Sequence, residues 1–258
     1  FMAGYIPGAL WALACMLVVY IYAKKAGYRS QTKLTGKEKF NAFIQALPCL
    51  LLIVIVIGGI IAGVFTATEG SVVAVVYSLL LSIYGYKSMK WKDLPEIFRA
   101  SAEMTGIIIF LIGVSSIMSW VMAFTNIPTM VSNGLLSISS NKYVILLMIN
   151  IILLVVGTFM DMTPATLIFT PIFLPVCTAL GMNTIHFGIM LIFNLCIGTI
   201  TPPVGTTLFV GAKVGDVKIE TVFKHLLPYF FAIIVVLMLV TYIPQLSLWL
   251  PGLMGYVS

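Results

Sequence analysis

Gly157-Thr-Phe-Met-Asp-Met-Thr-Pro164 stands between two apolar stretches, residues 143–157 and 165–180. Both stretches are short. As a helix, residues 143–157 reach only ~22 Å, less than the ~30 Å apolar thickness of a bilayer. Two half-length helices joined by a polar tip predict a re-entrant hairpin over 143–180, entering and leaving the membrane on one side. A second interruption, Gly198-Thr-Ile-Thr-Pro-Pro-Val-Gly-Thr-Thr207, follows apolar residues 187–197. Apolar sequence then resumes to Val210, so 187–212 predicts one helix broken near mid-membrane. Non-helical backbone at that depth is tolerated only where protein or a water-filled cavity satisfies it. Pro202 and Pro203 withhold two backbone donors. Gly157, Gly198 and Gly205 permit close approach and unusual dihedrals. The freed carbonyls and the Thr hydroxyls make an oxygen-only cage suited to a hard cation such as Na+. Half-helix N-termini nearby can face an anionic group. A pair of interrupted hydrophobic segments is the sequence pointer to a transporter's binding site.

Composition agrees with a membrane setting. The 258 residues are 61% hydrophobic and 9% charged, far more apolar than a soluble core of this size needs. The net charge of +6 does not imply nucleic acid. Of the 14 Lys and Arg, all but Lys142 fall in three segments, Lys24–Lys39, Lys87–Arg99 and Lys213–Lys224. Positive segments stay cytoplasmic, so these three fix the topology.

Residues 2–23 form a first span, 42–64 cross outward, and 66–86 return. Residues 87–103 hold four basic and three acidic residues around Trp91 and Phe98 and read as an amphipathic helix along the cytoplasmic surface. Residues 104–124 cross outward to the uncharged segment 125–141. The hairpin and the broken helix follow, and 226–250 form a last outward span. The organisation expected is scaffold-like helices with a surface helix over 1–103, a transport-type repeat over 104–225, and a C-terminal transmembrane helix over 226–258. Phe1 opens on apolar sequence with no basic n-region or cleavage site, which reads as part of a longer protein.

Asp161 is expected deep in the membrane, where an ionised group needs pairing or hydration. It could cap a half-helix, accept hydrogen bonds at the hairpin tip, or belong to the coupling route. Thr158, Thr163, Pro164, Pro202, Pro203, Gly205 and Thr206 surround the same interruptions and are candidates for substrate contact or coupling. Glu69 reads as a residue of an interfacial turn. Ser115, Ser116 and Ser119 form a polar strip that reads as helix–helix glue. The four cysteines form no CxxC and read as small apolar residues.

Gly63-Val-Phe-Thr-Ala-Thr-Glu69, Gly157-Thr-Phe-Met-Asp-Met-Thr-Pro164 and Thr201-Pro-Pro-Val-Gly205, in this order, resemble the large membrane subunit of tripartite ATP-independent periplasmic (TRAP) transporters. The opening Gly4-Tyr-Ile-Pro-Gly8 resembles the middle of such a subunit, so the likeness is to its C-terminal part. The resemblance implies an all-α integral membrane protein with the elevator fold of the ion-transporter superfamily, this chain carrying the second of two inverted repeats. It implies Na+ held by Gly157, Gly198, Thr201 and Val204. The family often has Met where Val204 stands, a change that a carbonyl ligand tolerates. It implies a periplasmic substrate-binding protein, a small four-helix membrane subunit (separate or fused), and an upstream part of the same subunit bearing the first repeat and the substrate-carboxylate arginine. Arg29 and Arg99 both fall in cytoplasmic segments, so this chain alone is not expected to transport.

The function expected is Na+-coupled uptake of an organic acid across the bacterial inner membrane: sialic acid, a C4-dicarboxylate, or a related sugar or keto acid. The alternatives are a non-transporting scaffold subunit, or another sodium-coupled anion transporter of the superfamily. A scaffold leaves two mid-membrane interruptions unexplained. An intramembrane hydrolase would need a second deep carboxylate or a deep His beside Asp161, and none is read.

Overall fold

The computed structural model describes residues 1–27, 35–139, 141–202, 205, 207–208, 211–212 and 215–255. Among these, all regular structure is helical. Seven of the described helices are long and apolar enough to cross a membrane. The protein is an all-α integral membrane protein.

One compact unit holds α2 (Gly36–Ile61), α3 (Ala67–Leu80) and residues up to 107. Both helices start with a capping box. The Thr35 N–H donates to Glu38 Oε2 at 2.7 Å, and the Thr66 N–H donates to Glu69 Oε2 at 2.7 Å. Glu69 N–H returns a bond to Thr66 Oγ1 at 3.3 Å. Glu69 thus closes the first turn of α3, where donors otherwise lack partners. Between the helices, the Phe65 ring occupies the space over two glycines. A Cβ on Gly59 would collide with that ring, and one on Gly70 would stand 3.3 Å from it. A π-helical turn, Leu81–Gly85, ends this pair.

Helix α4 runs unbroken over Leu94–Phe124. This corrects the expected division into a surface helix over 87–103 and a span from 104. No Gly or Pro interrupts residues 100–105, and the Arg99–Glu103 ion pair at 3.1 Å is an ordinary i, i+4 helix contact. The Ser116 hydroxyl donates to Ile112 O of its own helix at 2.8 Å. The Ser115 and Ser119 side chains lie outside the described residues.

The second unit contains α1 (Met2–Ala26) and the described residues from 108 onward. The segment 125–141 is not simply a loop: Ile127–Ile138 form α5, which packs on α7 (Met162–Ala179). Helices α6 (Lys142–Phe159) and α8 (Thr184–Thr199) make the principal packing. Ile145, Ile149 and Leu153 of α6 recur at helical spacing and are fully buried against Met190, Leu191 and Leu195 of α8. The other side of α8 presents Phe193 and Ile197 to Ile233, Leu237 and Val240 of α9 (Ile219–Tyr242). Trp11 of α1 lies 4.7 Å from Phe193, ring centre to ring centre. The expected last span, 226–250, is two helices: α9 ends at Tyr242, and α10 covers Gln245–Leu253. Pro244 lies between them and has no N–H to continue the ladder.

Candidate functional site

The hairpin interruption is narrower than the eight-residue stretch 157–164 suggests. Helix α6 continues through Gly157 and Thr158 to Phe159, with the Met160 N–H bonded to Val156 O at 3.0 Å. Asp161 is then the N-cap of α7, with φ −68° and ψ 156°. Its carbonyl accepts the Ala165 N–H at 3.2 Å. Thr163 and Pro164 sit in the first turn of α7. Proline is tolerated there because first-turn N–H groups have no intrahelical partner. Both arms are therefore 18 residues long, or ~27 Å. They count among the helices long enough to cross, which corrects the reading that each is too short.

Asp161 is exposed, and its side chain makes no capping hydrogen bond to α7. Thr158 donates its hydroxyl back to Val155 O at 2.7 Å. The first turn of α7 meets α8 through sulfur: Cys196 Sγ lies 3.5 Å from Met162 Sδ.

Gly157 and Gly198 are both buried and touch backbone to backbone. A Cβ on Gly157 would stand 3.0 Å from Gly198 Cα. A Cβ on Gly198 would stand 2.5 Å from the Gly157 carbonyl carbon and 2.7 Å from its oxygen. Each glycine lies in the last turn of its helix, α6 or α8. The final carbonyls of a helix have no intrahelical partner, and the negative end of its dipole lies there. Two such ends in contact repel unless a cation or donors face them; on the Gly198 side one donor, the Thr201 N–H, is already in place at 2.9 Å.

Beyond α8, the Thr201 N–H donates to Gly198 O at 2.9 Å, and the Thr201 hydroxyl donates to Ile197 O at 2.7 Å. Once its proton is given to Ile197, the Thr201 oxygen offers its remaining lone-pair capacity as an acceptor. Gly205 is buried at φ 30°, and a Cβ there would stand 2.8 Å from Thr201 O. Glycine is required by both the dihedral and the contact. Pro202 is half-buried, and helical residues return at 207–208 and 211–212. Pro203, Val204 and Thr206 lie outside the described residues. The structure thus brings Gly157 to Gly198 and Gly205 to Thr201. Among the described residues no cluster of three or more His, Cys, Asp and Glu could hold a metal, so any cation here would rely on carbonyl and hydroxyl oxygens.

Sequence reasoning passed over Asn150, Asn194 and Thr241, which are fully or almost fully buried and hydrogen-bonded across three helices. The signal was available: Asn150 and Asn194 are lone amides inside otherwise apolar runs.

A family profile described as "Tripartite ATP-independent periplasmic transporter, DctM component" matches residues 1–246. The chain belongs to the DctM family of TRAP transporters. The chain is 50% identical to "Uncharacterized protein YgiK" of Salmonella typhimurium, over 98% of the chain and 58% of that protein. It is 37% identical to "Sialic acid TRAP transporter large permease protein SiaM" of Vibrio cholerae, over 99% of the chain and 60% of that protein. It is 36% identical to "C4-dicarboxylate TRAP transporter large permease protein DctM" of Pseudomonas aeruginosa, again over 99% and 60%. The chain therefore spans about three fifths of the length of these relatives. DctM proteins are transporter permeases rather than enzymes, and this DctM chain is a multi-pass protein of the inner membrane.

Proposed function

We propose that this chain is the second repeat of a large TRAP subunit, and that it binds the Na+ which drives uptake of an organic acid by an elevator mechanism. The observation that carries this reading is the Gly157–Gly198 contact, where the carbonyl-bearing ends of two interrupted helices meet without an intervening side chain. A cation held by Gly157, Gly198, Thr201 and Val204 would relieve the repulsion of those ends. It would also join the hairpin arm α6 to the broken helix. Occupancy would then order the hairpin tip and the adjoining anion site, linking sodium to substrate affinity. Thr158, Asp161, Thr163, Pro164, Pro202, Pro203, Gly205 and Thr206 surround that junction in the reading.

Relatives named for sialic acid and for C4-dicarboxylates support a carboxylate-bearing substrate. They also support delivery by a periplasmic binding protein and assembly with a small membrane subunit and the remaining part of the large one. With both arms 18 residues long, re-entrance of the hairpin rests on its polar tip and on the family likeness, not on arm length.

The test is sodium-titrated uptake by the assembled transporter in proteoliposomes. Thr201→Ala removes the hydroxyl and keeps the carbonyl. It is expected to raise the half-saturating sodium concentration, while Thr201→Ser and Val204→Met leave it near wild type. Uptake that ignores sodium in the wild type would overturn the reading.

A further inference from the structure

Three side chains outside the proposed ion site are sealed from solvent: Asn150 on α6, Asn194 on α8 and Thr241 on α9, at 0%, 0% and 1% exposure. The Asn194 amide donates to Asn150 O at 3.0 Å and to Asn150 Oδ1 at 2.8 Å. The Asn150 amide in turn donates to Thr241 Oγ1 at 3.1 Å and to Leu146 O at 2.9 Å. One chain of side-chain bonds therefore ties three helices together.

Its place on those helices matters. Asn194 precedes Gly198 by one helical turn, ~6 Å along α8, and Asn150 precedes Gly157 by two turns, ~10 Å along α6. Residues so spaced share a helix face. The amide pair and the glycine contact are thus two points on one α6–α8 seam. The rest of that seam is built on apolar side chains, Ile145, Ile149 and Leu153 of α6 with Phe187, Met190, Leu191 and Leu195 of α8, whose contacts are not directional. In a bilayer the lipid tails are as apolar as those side chains, so apolar contact discriminates register poorly. Hydrogen bonds of 2.8–3.0 Å do not survive a slip of one residue.

The cluster is also a poor source of stability: among the described residues, the buried Asn194 Oδ1 has no hydrogen-bond partner. A partly satisfied buried network is less stabilising than an apolar core. Such a geometry suits the setting of register better than it suits a gain in stability.

We propose that Asn150, Asn194 and Thr241 form a polar clasp that fixes the axial register of α6 on α8, and so sets the Gly157–Gly198 spacing on which sodium affinity depends. They are positioning residues for the proposed sodium site, and the inference rests on that reading.

The experiment is uptake against sodium concentration by the assembled transporter, with melting temperature measured in parallel. Asn194→Leu removes both amide bonds, Thr241→Val removes one acceptor at constant shape, and Thr241→Ser keeps it. Couplings of this kind correspond to severalfold changes, so Asn194→Leu is expected to raise the half-saturating sodium concentration about fivefold and Thr241→Val about twofold, while Thr241→Ser matches wild type. The maximal rate at saturating sodium should survive in all three. If Asn194→Leu does not fold, Thr241→Val against Thr241→Ser decides. A lowered melting temperature or maximal rate with unchanged half-saturating sodium would reduce the clasp to ordinary packing and overturn the proposal. So would variants indistinguishable from wild type. A wild-type transporter indifferent to sodium overturns the ion-site reading and the clasp with it; a sodium-dependent wild type with unshifted variants overturns the clasp alone.

Discussion

Gly198 meets Gly157 so closely that a single methyl group on Gly198 would overlap the main chain of Gly157. The relationship is asymmetric. The same methyl on Gly157 reaches only to 3.0 Å from Gly198 Cα.

That asymmetry gives the first prediction. Gly198→Ala should cost about 1–3 kcal/mol through overpacking, and Gly157→Ala less, because there the neighbour need shift only a few tenths of an ångström. Thermal melting of the purified transporter measures both. The clash arises with or without sodium, so loss of transport in Gly198→Val would report the seam and not ion ligation. Thr201→Ala is the cleaner test of ligation.

Asp161 gives the second. Asn keeps the shape and an acceptor of Asp161 and removes its charge, whereas Ala removes the acceptor as well. Asp161→Asn should keep much of the sodium-driven uptake, and Asp161→Ala, which removes the acceptor at the hairpin tip, should lose it. Equal collapse of both variants would instead assign the carboxylate charge to coupling.

Glu69 gives the third. Its carboxylate accepts from the Thr66 N–H and hydroxyl at 2.7 and 2.9 Å. Glu69→Ala should lower the melting temperature, and Glu69→Gln, which keeps an acceptor, should lower it less. The half-saturating sodium concentration should be unmoved in both. A sodium shift in Glu69→Gln would give this residue a role beyond the cap.

Topology supplies the fourth. Lys90 and Asp216 belong to basic segments and Asn133 to the uncharged one, and all three are exposed. Single cysteines at Lys90 and Asp216 should react with an impermeant maleimide only from the cytoplasmic side, and one at Asn133 only from outside. Labelling of Asp216 from outside would contradict a broken helix ending in the cytoplasm.

The helices themselves were legible, because runs of apolar residues bounded by charge leave few alternatives: 2–23 became Met2–Ala26, and 42–64 became Gly36–Ile61. Their ends were less so. Polarity was taken to end a helix, yet Thr158 stays helical by turning its hydroxyl back to Val155 O, and Pro164 is absorbed in a first turn. Conversely, Pro244 divides a run that hydropathy alone carries through to 250. At the candidate site, Gly157 and Gly198 were readable because glycine at an interruption signals close approach. Asn150 and Asn194 stood out as lone amides, but their pairing did not, because the partners lie 44 residues apart and neither interrupts its helix.

The Phe65 ring over Gly59 and Gly70 has a mechanical corollary. This wedge works beside polar bonds: the Val64 N–H donates to Gly59 O at 2.9 Å in the corner itself, and the Tyr77 hydroxyl donates to Pro48 O at 2.8 Å farther along the same two helices. A methyl on Gly59 would meet the far end of the Phe65 ring, so Gly59→Ala obliges that ring to move and loosens the wedge between α2 and α3.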